Sequence, residues 1–382
     1  MGSITPPPEE DQSLIFTHLP PFPTNVPTVP LLRLNLSKLL SNDALEEEKL
    51  WRACCDLGFF YLDCRGGNGI DRTTQVKISG DHLLHSADEL FDLAEGVFDL
   101  PVSEKAKYDM MGENSYFGYK GYGDGVIDRK GTKDRVEFWN ISKDDILGIS
   151  ERLKNPEVLR GEENRGKIRA YMLDCHAVVT MILGRLEKRL GLPEGRLRDL
   201  HRLQAVSGDQ VRWVKSPPQD IDDRRAALGE HTDFGSVTVL FNRLGGLQVL
   251  PPETEEWAYV KPLKGHCVVN LGDAMVKFTA GILRSNMHRV VNPPGEQENG
   301  TRYSLVYFNR PGDEVVLKVL EGSEMIDAKR RENPQVESGE EINAKEWILR
   351  RAMGRRAGGD WEKGQGTDKE RMEKHDSGIA AS

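Results

Sequence analysis

Residues 231–250 read HTDFGSVTVLFNRLGGLQVL, and their pattern decides the fold class. Two short runs rich in β-branched and apolar residues, Ser236–Phe241 and Leu247–Leu250, flank the turn residues 242–246. The same alternation of short apolar runs and turns extends in both directions. It includes VRWVK (211–215), AYVKP (258–262), HCVVNLG (266–272), HRVV (288–291) and RYSLVYF (302–308). Many short strands at this spacing mark an all-β barrel or sandwich. The flanking sequence changes period. Leu83, Ala87, Leu90, Phe91, Ala94 and Phe98 repeat at helical spacing up to Pro101. A longer stripe from Ile168 to Leu190 predicts a helix over about 163–190, closed by Gly191. Asp43, with Glu46 three residues later, predicts a capped helix ending near Gly58, followed by a strand over Phe59–Leu62.

The 382 residues carry 52 basic and 61 acidic side chains, a net charge of −9. That charge disfavours nucleic acid and anionic membrane as partners. Five cysteines without a C-x-x-C spacing argue against a disulfide framework or thiolate cluster and fit a reducing compartment. No signal peptide, membrane span or lipidation signal is read from the chain, and a cytoplasmic protein without an obligate protein partner is expected. The expected organisation is a flexible proline-rich arm (1–25), an α/β region (26–145) and a long-helix segment (146–200). A β core (201–315) and a C-terminal helix with a tail (316–382) complete it. Within the last of these, residues 327–342 read as a loop, a helix is expected over 343–356, and the final twenty or so residues read as frayed. The Gly- and Tyr-rich stretch 113–131 reads as a lid or substrate-facing loop, or equally as an ordinary surface loop.

The chemistry starts at His231 and Asp233. Side chains at i and i+2 of an extended segment share a face, so an imidazole and a carboxylate point the same way. A third ligand from another strand would complete two histidines and one carboxylate on one face of an octahedral metal, the pattern of non-haem iron(II). Of the other histidines in the β region, His201 lies at its very start and His266 follows Gly265 in a turn. His288, in RSNMHRVVNPP, stands within a strand and is the preferred third ligand. Arg302 and Ser304 form a second i, i+2 pair. A buried guanidinium needs an anion, and this pair suits a small dicarboxylate.

Three runs together, residues 231–250, 268–295 (VVNLGDAMVKFTAGILRSNMHRVVNPPG) and 301–311 (TRYSLVYFNRP), resemble the iron(II)/2-oxoglutarate-dependent dioxygenases of the isopenicillin N synthase-like superfamily, most nearly its fungal members. The resemblance extends to PTVPLLRLNLSKL (27–39), LGFFYLDCRG (57–66), KDRVEFWNIS (133–142) and INAKEWILRRAMGRR (342–356), and so covers most of residues 26–357. It implies a mainly β protein with flanking helices, built on a double-stranded β-helix (jelly-roll) core. It also implies iron(II) on His231, Asp233 and His288, with dioxygen and 2-oxoglutarate as cosubstrates, the latter held at its far carboxylate by Arg302 and Ser304. Where many members have a Tyr before the Pro-Pro of the first core strand that assists the cosubstrate or substrate carboxylate, this chain has Ser216, which can donate a hydrogen bond to 2-oxoglutarate in its place but is shorter and cannot stack. A small-molecule substrate is expected to meet Tyr119, Arg212 and Phe234, and its C–H oxidation suits secondary-metabolite tailoring. The alternatives are an oxidase of the same fold that does not use 2-oxoglutarate, and a non-catalytic barrel that binds a small acid.

Overall fold

β-Branched and aromatic residues suit a pleated, half-buried surface, and the apolar runs form strands. The computed structural model describes residues 11–220, 226–252, 254, 256–332, 341–364 and 366. The strands are β1 (Arg33–Asn35), β2 (Phe59–Asp63), β3 (Asn68–Ile70), β4 (Lys77–Ser79), β5 (Gly118–Lys120), β6 (Glu137–Ser142) and β7 (Gln210–Ser216). They continue as β8 (Leu228–His231), β9 (Val237–Asn242), β10 (Leu247–Val249), β11 (Ala258–Tyr259), β12 (His266–Leu271), β13 (His288–Val290) and β14 (Arg302–Asn309). One large sheet has the order β1-β2-β12-β9-β14-β7-β6-β5, and a smaller one β11-β10-β13-β8.

The register of the large sheet decides what reaches the interior. β14 pairs with β7 on one side and β9 on the other; Ser304 lies between Val214 and Asn242, and Val306 between Arg212 and Leu240. Side chains alternate across a sheet. Arg302, Ser304, Val306 and Phe308 therefore share a face with Arg212, Val214 and Ser216 of β7 and with Thr238 of β9. That face packs on the smaller sheet, where Leu240, Val268 and Val306 join Leu247, Val249 and Val260 in one apolar cluster. The opposite face, with Trp213, Leu305 and Tyr307, packs against the helices Gly80–Phe98 and Glu162–Arg189. The result is a mainly β core flanked by helices on one side.

Several local expectations change. Asp43 caps the helix Ala44–Asp56, with its Oδ1 accepting from the Glu46 amide at 2.9 Å. The Glu46 carboxylate does not reciprocate; it accepts from the Asn35 amide at 2.6 Å and ties the helix to β1. Residues 327–332, expected as loop, belong to the helix Glu324–Glu332. Ser323 Oγ accepts from the Ile326 amide at 3.1 Å, and Ile326 is its one buried residue, too few for a visible stripe. Residues 11–25, expected as a flexible arm, lie against the core. Leu14 O accepts from the Lys264 amide and Pro20 O from Gln297 Nε2, both at 2.8 Å. Proline removes donors but keeps its carbonyl, so a segment without periodicity can still be pinned. Most of the tail expected to fray lies outside the described residues.

Leu305 is fully buried on the helix side of β14. Leu305→Ala should cost about 2–5 kcal/mol through lost burial and a residual cavity. Urea unfolding would show this as a lower midpoint, and an unchanged midpoint would contradict the face assignment.

Candidate active site

His231 ends β8 and His288 begins β13, and the two are direct cross-strand partners, with a register shift just beyond them. Their ring centroids lie 4.2 Å apart. Asp233, two residues past the end of β8, brings its Oδ1 to 3.9 Å from His231 Nε2 and 3.8 Å from His288 Nε2. One donor atom from each of the three residues lies within 4.8 Å of the others. The remaining polar atoms are committed elsewhere. His231 Nδ1 donates to Gly229 O at 2.8 Å, and His288 Nδ1 to Asn286 O at 3.1 Å. Asp233 Oδ2 accepts from Thr238 Oγ1 at 2.6 Å and Asn270 Nδ2 at 2.7 Å. The proton on each Nδ1 leaves the Nε2 lone pair aimed inward, the tautomer a metal needs. Burial, with His288 alongside, pushes His231 well below the usual imidazole range, so it is neutral at pH 7. Burial opposes ionisation of Asp233, but the two histidines, Asn270 and Thr238 together hold its carboxyl below the usual range. Two imidazoles and one carboxylate are a donor set that fits iron(II).

Arg302 is buried on the same interior face, opposite Ser216 on β7. Its Nε donates to Gly245 O at 2.7 Å and its Nη1 to Ser304 Oγ. No carboxylate pairs with it among the described residues. Burial alone draws it down to about 10. Gly246, at a φ of +105°, turns the chain beneath it; a Cβ there would come within 2.5 Å of Val291 O and 3.3 Å of the Arg302 side chain. The turn residues 245–246 thus lie directly against the Arg302 guanidinium.

Comparison with known proteins agrees with this geometry. Residues 201–311 match the 2OG-Fe(II) oxygenase superfamily, and residues 27–159 match the family described as non-haem dioxygenase in morphine synthesis N-terminal. The chain is 31% identical over 296 residues to the 2-oxoglutarate-dependent dioxygenase gloE of Glarea lozoyensis, covering 77% of this chain and 83% of the relative. It is 31% identical over 297 residues to the 2-oxoglutarate-dependent dioxygenase frbH of a Dothideomycetidae species, covering 78% and 86%. The chain belongs to the iron(II)/2-oxoglutarate-dependent dioxygenases. Among solved structures, a full-length Neurospora crassa protein in complex with alpha-KG shares the fold at a TM-score of 0.66 and 21% identity, covering 84% of this chain and 95% of that one. A putative 2OG-Fe(II) oxygenase family protein from Caulobacter crescentus does so at 0.65 and 23%, covering 85% and 98%. The shared core is the double-stranded β-helix. The protein is an oxidoreductase that uses iron(II), 2-oxoglutarate and dioxygen.

The dioxygenase holds the segment 231–234 from outside the β core. Asp273 Oδ2 accepts from Thr232 Oγ1 at 2.9 Å and from Arg351 Nη1 at 2.7 Å, and Trp347 Nε1 donates to Phe234 O at 3.1 Å. Arg351 and Trp347 lie on the C-terminal helix Ala344–Gly354. Sequence reasoning missed this clamp. Asp273 and Arg351 both stand in quoted runs, but no spacing links positions 78 residues apart.

A cavity opens beside His231. Tyr119, Arg212 and Phe234, singled out from sequence, all line it, together with Phe138 and Asn140, which sequence reasoning missed. Within the stretch expected as a lid, β5 pairs with β6 and sets Tyr119 opposite Trp139. The Tyr119 ring is buried, and its hydroxyl donates to Glu137 Oε2 at 2.6 Å, so this part is a fixed wall. The following turn reaches β8, where a Cβ on Gly229 would come within 2.7 Å of the Ile127 backbone.

Arg351→Met would leave Asp273 as a fully buried carboxylate without its cation. The expected loss is about 3–5 kcal/mol, read as a lower melting temperature. A melting curve like that of the wild type would show that the clamp carries no stability.

Proposed function

We propose that His231, Asp233 and His288 hold the iron, that Arg302 and Ser304 grip the far carboxylate of 2-oxoglutarate, and that the cavity beside His231 presents a small organic molecule for C–H oxidation in fungal secondary metabolism. The observation that carries this reading is the convergence of two Nε2 atoms and one carboxylate oxygen, each side chain fixed by a hydrogen bond on its other polar atom. When bound, iron with 2-oxoglutarate and dioxygen supplies the oxidation of a C–H bond, with carbon dioxide and succinate released. The protein's part is positioning and exclusion. Thr238 and Asn270 keep Asp233 Oδ2 occupied, so its Oδ1 faces the two imidazoles. The carbonyls of Gly229 and Asn286 keep both Nδ1 protons away from the centre. Arg302 meets an anion in a buried pocket with a pre-set neighbouring hydroxyl, and Ser216 on the facing strand leaves that pocket roomier than a tyrosine would.

In this reading residues 201–315 form the catalytic core, while 26–145 supply the cavity wall from Tyr116 to Phe138. The helix within 316–382 closes the opposite side through Met353 and Arg355. A cytoplasmic location without nucleic-acid or anionic-membrane partners is supported by the acidic balance and the free cysteines. No helix among the described residues is long and apolar enough to cross a membrane.

Anaerobic titration with iron(II) and 2-oxoglutarate tests these roles through the metal-to-ligand charge-transfer band. Asp233→Ala should abolish the band while leaving the melting curve cooperative. Arg302→Met should weaken 2-oxoglutarate binding by about 2–5 kcal/mol through loss of a charge-assisted contact. A normal band in the first variant, or normal affinity in the second, rejects that assignment. Succinate formed in step with turnover distinguishes the reading from an oxidase that uses no 2-oxoglutarate.

A further inference from the structure

The cavity beside His231 has a charge pattern that iron and 2-oxoglutarate leave unused. Its lining holds four cations, Lys120, Arg212, Arg355 and Arg356, against two carboxylates, Asp109 and Asp134, within a chain of net charge −9. Both carboxylates are taken. Asp109 receives Arg356 Nη2 on its two oxygens at 2.6 and 2.7 Å, and Asp134 receives Lys120. Arg355 is committed to the carbonyls of Glu230 and Gly364 at 2.8 and 3.1 Å. Arg212 differs. Its Nε donates to Asn140 Oδ1 at 2.7 Å, and its guanidinium lies 4.2 Å from the Phe138 ring centroid and 5.1 Å from that of Phe308. Its Nη1 and Nη2 have no hydrogen-bond partner among the described residues, and no carboxylate pairs with it.

Two rings and one amide therefore fix the plane of this guanidinium while its two-pronged end stays open on the cavity. Holding a cation this way is unfavourable unless an anion arrives. Burial, with Arg310 nearby, draws Arg212 down to about 9. The position also differs from the cosubstrate pocket. Arg212 stands opposite Val306, and Arg302 lies four residues back along β14, about 13 Å at the rise of an extended strand. The walls near Arg212 are aromatic, with Tyr116, Phe117 and Phe234 all on the lining.

We propose that the substrate is a small organic carboxylate with a flat apolar body, its carboxylate bound in two-pronged fashion by Arg212 and its body held among Tyr116, Phe117 and Phe234. This rests on the placement of the iron and 2-oxoglutarate above and adds the chemical class of the third reactant. Arg212 is then a specificity-determining residue. A planar fork matches a carboxylate in a way a point charge does not, and an amide of the same shape leaves the guanidinium without its counter-ion.

The test uses the full chain loaded with manganese(II) and saturating 2-oxoglutarate, with 2-naphthoate and 2-naphthamide as matched probes in calorimetric titrations. Wild type should bind the acid about tenfold or more tightly than the amide. Arg212→Met should bring the two to within about twofold, and Arg212→Lys should keep a reduced preference. Equal affinities in wild type, saturable binding of neither probe, or an undiminished preference in a folded Arg212→Met protein overturns the proposal. If Arg212→Met does not fold, the wild-type contrast and Arg212→Lys decide it. 2-Oxoglutarate is titrated first in each preparation. Its failure to bind counts against the Arg302 pocket alone, and the probe comparison then proceeds without it.

Discussion

A buried carboxylate beside one buried and one half-buried imidazole is stable only if every polar atom has a defined task. At Asp233 that assignment is complete. Oδ2 receives two hydrogen bonds from β9 and β12, and Oδ1 is left toward the histidines. The histidines obey the same rule, with Nδ1 on a backbone carbonyl and Nε2 turned inward. Remove the hydrogen bonds on the outer atoms and each side chain could rotate or change tautomer. The cross-strand pairing of His231 with His288 would then bring two rings together without making a donor set.

The rest of the fold serves that arrangement. The large sheet carries Thr238 and Asn270 on the interior face that also presents Arg302 and Arg212. One set of strand registers thus spaces the residues that hold Asp233, the proposed cosubstrate anchor and the proposed substrate anchor. The C-terminal helix holds the segment 231–234 through Asp273, Arg351 and Trp347, so the site depends on residues well beyond the matched oxygenase region, 201–311. The end of the same helix places Arg355 and Arg356 on the cavity, which links support of the segment 231–234 to the wall of that cavity.

Much of this was legible in the sequence because it was local. The i, i+2 spacing of His231 with Asp233 and of Arg302 with Ser304 is a property of extended backbone, and the structure brings each pair to the interior. The long-helix stripe gave the helix Glu162–Arg189 to within a residue at each end. What escaped was non-local or sparse. The tie between Arg351 and Asp273 spans elements whose contact no periodicity announces. Ile326 alone anchors its helix. Residues 11–25 are pinned through backbone carbonyls, which composition does not reveal. Tyr119 reads as a lid residue in a Gly-rich stretch, yet strand pairing with β6 buries it. Arg212 was visible as a charged residue in a strand, but that no carboxylate pairs with it among the described residues emerges only from the three-dimensional neighbourhood.

The most direct test is a crystal structure of the protein loaded with manganese(II) and 2-oxoglutarate, with the metal located by its anomalous scattering. One metal ion should sit within about 2–2.3 Å of Nε2 of His231, Nε2 of His288 and Oδ1 of Asp233, with the far carboxylate of 2-oxoglutarate on Arg302 and Ser304. A metal seated elsewhere, or a His288 ring turned away from an occupied site, would contradict the ligand assignment on which the proposed chemistry depends.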